Sequence, residues 1–252
     1  MERGSISFPA AVILGLLVGA GAAAGGYFMG RGFYEGRRAE RYVTVKGLIE
    51  RYVKADLAVW TITFTTTGAD ISAVSATSER DRELVRSFIL KDGFADKEVE
   101  QLPTRVTDQF ANPFGAPNVE ASRRYVITAG FEIRTAKVDV VRQASQTTGE
   151  LIRQGVVLDG RTFEGSANPA YLFSRLNDIR PAMLAQATKS ARAVAQQFAA
   201  DSNSRLGAIR RASQGVFQVM SRDAEEPNPM EERASIEKKV RLVSTIDYYL
   251  ID

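Results

Sequence analysis

Residues 8–30, FPAAVILGLLVGAGAAAGGYFMG, carry no charged side chain over 23 positions, and no other feature limits the chain as strongly. As a helix rising ~1.5 Å per residue, the stretch reaches roughly 34 Å, enough to cross a hydrocarbon core of ~30 Å. A secretory signal is the competing reading, with an apolar core of only ~7–15 residues followed by a small-x-small cleavage box. The most apolar run, Ala10–Val18, is followed by two such boxes, Ala20-Gly21-Ala22 and Ala22-Ala23-Ala24. Tyr27, Phe28 and Met29 then restore apolar character beyond either cut, and Arg3 beside Glu2 makes a weak basic leader. The balance favours a retained anchor over a removed signal.

Small residues recur at every fourth position of this stretch, as Ala11, Gly15, Gly19 and Ala23. In lipid that spacing lets two helix backbones approach closely, so that packing drives self-association. The plainer explanation is that membrane helices and signals are rich in Gly and Ala whatever they do.

The chain has 33 cations and 30 anions, with no Cys and no His. Disulfide scaffolds, thiol nucleophiles, Cys/His zinc sites and His-dependent triads are therefore excluded. Residues 1–41 contain Arg3, Arg31, Arg37, Arg38 and Arg41 against Glu2, Glu35 and Glu40, which leaves 28 cations and 27 anions for residues 42–252. No basic run stands out in that near-neutral remainder, so nucleic acid is not an expected partner. Arg31, Arg37, Arg38 and Arg41 instead form a juxtamembrane cluster suited to anionic lipid headgroups. Four arginines after the span against one before it favour a cytoplasmic C-terminal domain.

The domain plan is an N-terminal tail (1–7), an anchor or signal (8–30), a basic juxtamembrane linker (31–41) and a folded domain (42–252). Strands are expected over 43–53 and 56–68, the second alternating with Ala58, Trp60, Ile62 and Phe64 on one face. Asp70 caps a helix over 71–91, whose SERDRELVR run reads as a solvated face. Strands follow at 99–110 and 123–135, with ANPFGAPNV (111–119) as the hairpin tip. A helix over 137–153, a strand near 161–166 and an alanine-rich helix over 178–200 come next. The last helix places Ile179, Met183, Ala187, Val194 and Phe198 on its core stripe and Pro181 in its first turn. A hairpin of 206–220 and 238–251 closes the chain. The order gives two βαββ units, and an antiparallel sheet with helices on one face is the natural packing, an α+β fold preceded by one transmembrane helix.

Motifs for chemistry are sparse. There is no phosphate loop, dinucleotide fingerprint, nucleophile elbow or zinc-protease helix, so no cofactor or metal site is expected. Ser235-Ile-Glu-Lys238 fits S-x-x-K but lacks its companion elements and reads as coincidence. The acidic tip with Asp223, Glu225, Glu226, Glu231 and Glu232 lacks the ligand spacing and pivot Gly of a calcium loop. The two hairpin tips, with Asn112, Pro113 and Phe114 in one and Glu225, Glu226 and Pro229 in the other, are instead candidate interaction points.

VTVKG (43–47) leading to Ala55-Asp56, DGFADKEVEQLPTRV (92–106), RRYVITAGFEIRTAKVDVV (123–141) and AQATKSARAVAQQFA (185–199) before Leu206-Gly207 resemble the SIMPL-domain family. This is the bacterial group that includes oxidative-stress-defence and periplasmic immunogenic proteins. The chain departs from the family pattern at Ala55, where Pro is usual, and at Leu48-Ile49, where a second glycine is missing. The resemblance implies an exported α+β domain, homo-oligomers, a link to envelope stress and no established enzyme activity.

Taken with the apolar stretch, it points to a single-pass inner-membrane protein with its domain in the periplasm, a structural or interaction role, and itself and membrane lipid as partners. Two alternatives stand beside that reading: a carboxylate-based hydrolase of an envelope polymer, and a cytoplasm-facing adaptor.

Overall fold

The computed structural model describes residues 8–38, 41–111, 120–159 and 168–251. Its helices are α1 (Phe8–Arg38), α2 (Ile71–Lys91), α3 (Val138–Thr147), α4 (Gly149–Arg153), α5 (Leu176–Asp201) and α6 (Pro229–Ala234). Its strands are β1 (Tyr42–Lys54), β2 (Leu57–Gly68), β3 (Val99–Gln101), β4 (Arg105–Asp108), β5 (Tyr125–Thr135), β6 (Ala170–Leu172), β7 (Arg205–Gln214), β8 (Gln218–Ser221) and β9 (Glu237–Ile251). The expected tip residues Asn112, Pro113 and Phe114 and the expected strand at 161–166 lie outside the described residues.

The strands form two antiparallel sheets, a refinement of the single sheet expected: β1–β9–β7 with β8 also on β9, and β3–β5–β2–β6 with β4 also on β5. The chain divides into two compact bodies, and β1, α5 and β9 each contribute to both.

The second body comprises Ile49–Met183 and Val216–Leu242. Its centre is the β2–β5 pair, in register from Ala58 opposite Thr135 to Gly68 opposite Tyr125. The alternation in β2 buries Ala58, Trp60, Ile62 and Phe64 against Ala129, Phe131 and Ile133 of β5. Val85, Phe88 and Ile89 of α2, Val141 and Ala144 of α3 and Leu151 of α4 join the same cluster, so these helices cover one sheet face. Asp70 caps α2 as expected, its carboxylate accepting from the Ala73 amide at 2.9 Å. The SERDRELVR run, however, is not wholly solvated. Ser78 and Asp81 are buried, and Asp81 accepts from Arg80 and Thr66. Residues 137–153 split into α3 and α4 at Thr148, and Pro103 lies between β3 and β4. Asn168-Pro169 leads into β6, which pairs with β2 at Ala58–Tyr171.

The first body comprises Met1–Leu48, Leu184–Gly215 and Val243–Asp252. Here α5 lies on the inner face of β1 and β9, with Ala191 and Ala195 against Val45, Ile246 and Tyr248. The buried stripe is Ala187, Ala191, Ala195 and Ala199, whereas Val194 and Phe198 are 40% and 53% exposed. That corrects the expected stripe at Val194 and Phe198, whereas its Met183 and Ala187 are buried as expected, and Gly47 supplies the reason. A Cβ on it would meet the Ala187 carbonyl oxygen at 2.0 Å, so only a small-residue face of α5 can approach this close. The helix also begins at Leu176, which puts Pro181 beyond its first turn.

Candidate interaction surfaces

The sequence singles out four sets of residues, of which three lie among the described residues and the tip with Asn112, Pro113 and Phe114 does not. The first set is on α1, a continuous helix of 31 residues whose Val12–Phe33 segment is 22 residues long, apolar enough to cross a membrane and 0% buried. Gly15 and Gly19 have nothing within 4 Å of an added Cβ, and Ala23 is exposed beside them. Ala11 precedes them on the same helix.

The basic cluster divides. The helix continues to Arg38, into the residues read as a linker, so Arg31, Arg37 and Arg38 are helical, and Arg31 donates to the Tyr27 hydroxyl one turn back at 3.2 Å. Arg41 is instead tied into the folded part. Its guanidinium donates to Ser204 Oγ at 3.3 Å, and its carbonyl accepts from the Leu250 amide at 2.9 Å.

The acidic tip is only partly projecting. Glu225, Glu226 and Pro229 are exposed, and Pro229 opens α6 behind Asn228, whose side chain accepts from the Met230 amide. The rest of α6 packs back on β6 and β8. Lys238 on β9 is fully buried and ion-paired with Glu232 at 2.8 Å, and its ammonium also donates to the Glu232 carbonyl. Burial pushes this ammonium below the usual lysine range, and Glu232 opposes that shift. Ser235 donates its hydroxyl proton to the Glu237 carbonyl at 2.7 Å. Lys238 thus ties α6 to β9, and Ser235 is engaged within the turn that joins them.

Two depressions mark the second body, and sequence reasoning assigned no site to either. One, of about 690 Å³, is lined by Lys54, Asp56, Lys137, Asp139, Ser174 and Arg175. Asp56 sits at the β1–β2 junction, where the Ala55 amide is held by the Ile236 carbonyl and its own amide by the Leu172 carbonyl. Its carboxylate accepts from the Ser174 amide at 2.7 Å and from the Arg175 amide and guanidinium at 3.2 and 3.0 Å. Burial pushes the Asp56 carboxyl up, but these donors together hold it below the usual carboxylate range. Asp139 is likewise lowered by the ammonium of Lys54 beside it.

A general acid needs a carboxyl raised toward neutral pH, and both carboxyls here move the other way. Asp92, which burial and Glu150 do push up, lines neither depression. The geometry is that of an ionic clasp closing the 172–175 segment on the β1–β2 junction. No spacing signal could have revealed it, because Asp56 and Ser174 are 118 residues apart. The second depression, of about 810 Å³, lies beside α6 and is lined by Arg142, Tyr171, Arg222, Asp223, Ser235 and Glu237. Among the described residues no group of three acidic side chains is placed to hold a metal ion.

The model of the SIMPL family, described as a protein of unknown function (DUF541), matches residues 43–245, from the first strand to near the end of the last. Comparison with curated proteins finds no match.

Proposed function

The chain belongs to the SIMPL family, and on that premise we propose that it is a single-pass, membrane-anchored envelope protein that self-assembles and serves as a structural or interaction component. The observation that carries this reading is α1. Twenty-two consecutive residues, Val12–Phe33, form a helix with no part buried by the rest of the chain. An apolar surface of that extent is an aggregation hazard in water and is satisfied in a bilayer, where a helix also meets every backbone hydrogen bond internally.

Self-assembly is supported by the exposed Gly15–Gly19–Ala23 stripe, which among the described residues makes no contact that would compete with a second helix. Anchoring side by side raises effective concentration, so modest contacts suffice. The domain is read as periplasmic, as the exported SIMPL proteins suggest, with a link to envelope or oxidative stress. The juxtamembrane arginines are the argument for the cytoplasm-facing alternative. A non-enzymatic role is supported by the ion pairing of Asp56 and Asp139 and by the commitment of Lys238 to holding α6 and of Ser235 to the turn that follows it.

Mass-spectrometric reading of the N-terminus of membrane-extracted protein tests the anchor: a chain beginning at Met1 or Glu2 is expected, and one beginning near Ala23 or Gly25 refutes it. Native mass spectrometry in mild detergent tests assembly. The wild type is expected as an oligomer, and Gly15→Leu with Gly19→Leu is expected to lower its state without altering the fold. A monomeric wild type at micromolar concentration overturns the assembly reading.

A further inference from the structure

Outside α1 and α5 the first body carries cations on its sheet strands, Lys46 on β1 and Arg205, Arg210 and Arg211 on β7. The inner face of β1, β9 and β7 is taken by α5, which leaves the outer face uncovered among the described residues. On it stand Tyr42, Thr44, Lys46 and Leu48 of β1, Asp247, Tyr249 and Ile251 of β9, and Arg210 and Arg211 of β7. The Thr44 hydroxyl donates to Asp247 at 2.8 Å, which fixes the shared side of β1 and β9. Arg211 stands opposite Asp247 in the register, and a bulge before it turns Arg210 onto the same side. There the Arg210 guanidinium lies 4.1 Å from the Tyr42 ring centroid. The large apolar groups are well exposed, Tyr42 at 46%, Leu48 at 46%, Tyr249 at 37% and Ile251 at 50%. Arg205, opposite Ile251 in the register, joins them, so among the described residues four cations share this face of the first body with one acid, Asp247, already engaged by Thr44.

We propose that this face docks on an anionic lipid surface, with Lys46, Arg210 and Arg211 toward phosphate headgroups and Tyr42, Tyr249 and Ile251 at the headgroup boundary. The inference rests on the reading of α1 as a retained anchor. Two observations favour lipid as the occupant. The mixture of exposed tyrosine, aliphatic and basic side chains is what an interfacial surface needs, with the aromatic rings amphipathic and the cations complementary to anionic headgroups. The tether is also short: α1 ends at Arg38 and β1 begins at Tyr42, so the chain cannot carry Tyr42 more than roughly 20 Å beyond the apolar span that ends at Phe33. The outer face is therefore held at high effective concentration beside the bilayer.

The chain has no cysteine, so one introduced thiol gives one label. Full-length protein carrying Ile251→Cys on the outer face, or Ala193→Cys on the exposed side of α5 as control, is placed one chain per nanodisc and labelled with a fluorophore. The discs contain a headgroup-nitroxide lipid quencher in either zwitterionic phosphatidylcholine or a mixture with anionic phosphatidylglycerol. Quenching at 251 but not at 193 is expected in anionic discs, with release at ~0.5 M salt, where screening is nearly complete beyond a few ångströms. Lys46→Gln with Arg210→Gln and Arg211→Gln should lower the docked-to-undocked ratio by roughly a hundredfold. Unchanged Trp60 emission verifies that this variant is folded, and the salt arm tests the unaltered face.

An unquenched 251 label in a properly incorporated chain overturns docking alone, whereas failure to enter the discs overturns the anchor reading beneath it. Equal quenching in zwitterionic lipid, or at both labels, also refutes the proposal. Protection of the 251 label that requires two chains per disc would assign the face to a second copy instead.

Discussion

Replacing Gly47 by Ala puts a methyl group into the backbone of α5. The added Cβ would lie 2.0 Å from the Ala187 carbonyl oxygen, 2.9 Å from its carbon and 3.0 Å from the Ala191 Cβ. Carbon and carbonyl oxygen tolerate no closer than roughly 3.3 Å, so α5 must withdraw from β1 by more than about 1 Å. No rotamer change can absorb this, because the obstacle is main chain in the middle of a 26-residue helix. Withdrawal opens the layer where Ala191 and Ala195, both 0% exposed, meet Val45, Ile246 and Tyr248. Overpacking of a core costs about 1–3 kcal/mol, and a backbone obstacle belongs at the upper end. For a chain of this size that corresponds to a fall of roughly 5–10 °C in midpoint. The assay is thermal unfolding of the full chain in mild detergent, followed by far-UV circular dichroism. Emission from Trp60, the sole tryptophan and 2% exposed, serves as a separate reporter of the second body. Gly32→Ala, with nothing within 4 Å and outside the helix-packing stripe, is the matched control and should leave the midpoint unchanged. A Gly47→Ala midpoint indistinguishable from that of Gly32→Ala would refute the close strand–helix approach.

Two further predictions concern carboxylates of the second body. Glu98 accepts from the Ala95 amide, the Thr135 hydroxyl and the Lys137 ammonium, and these donors lower its pKa from 4.5 to about 2. A carboxyl depressed on folding contributes stability that is fully present above its unfolded pKa and lost as pH falls through the folded one. Wild type should therefore lose about 1–3 kcal/mol relative to Glu98→Gln between roughly pH 4.5 and pH 2. Urea titrations at several pH values check this, and parallel pH profiles for the two proteins would contradict it. Asp56→Ala removes the acceptor for two amides and a guanidinium and should lower stability by about 2 kcal/mol or more, read from the urea midpoint of Trp60 emission. Asp56→Asn, keeping one acceptor, should lie between. An alanine variant as stable as wild type would mean that the clasp around Ser174 and Arg175 contributes nothing.

What the amino-acid order determined alone was local. Twenty-three uncharged residues made α1 a span candidate, the period of two along β2 buried Ala58, Trp60, Ile62 and Phe64, and Asp70 capped the start of α2. Each of these depends on residues within a turn or a pleat of one another, so the pattern is written in neighbouring positions. The candidate surfaces were legible only in part. The apolar span and the exposed Glu225–Glu226 tip could be named in advance. The return of α6 through the buried Lys238–Glu232 pair could not, nor could the Asp56 clasp, whose partners stand 118 residues away.

The α5 stripe shows why. Its sequence offers two apolar faces, one of Val194 and Phe198 and one of four alanines, and the larger side chains bury more area by themselves. The choice fell to the alanines because Gly47, on another strand, brings β1 within contact of the helix backbone. Likewise, Lys46, Arg210, Arg211, Tyr42 and Tyr249 come from three separated strands, and no basic run announces them in the chain. Close packing and charge both act through space at a few ångströms, whereas sequence records distance only along the chain; where the two distances differ, tertiary structure alone decides which groups meet.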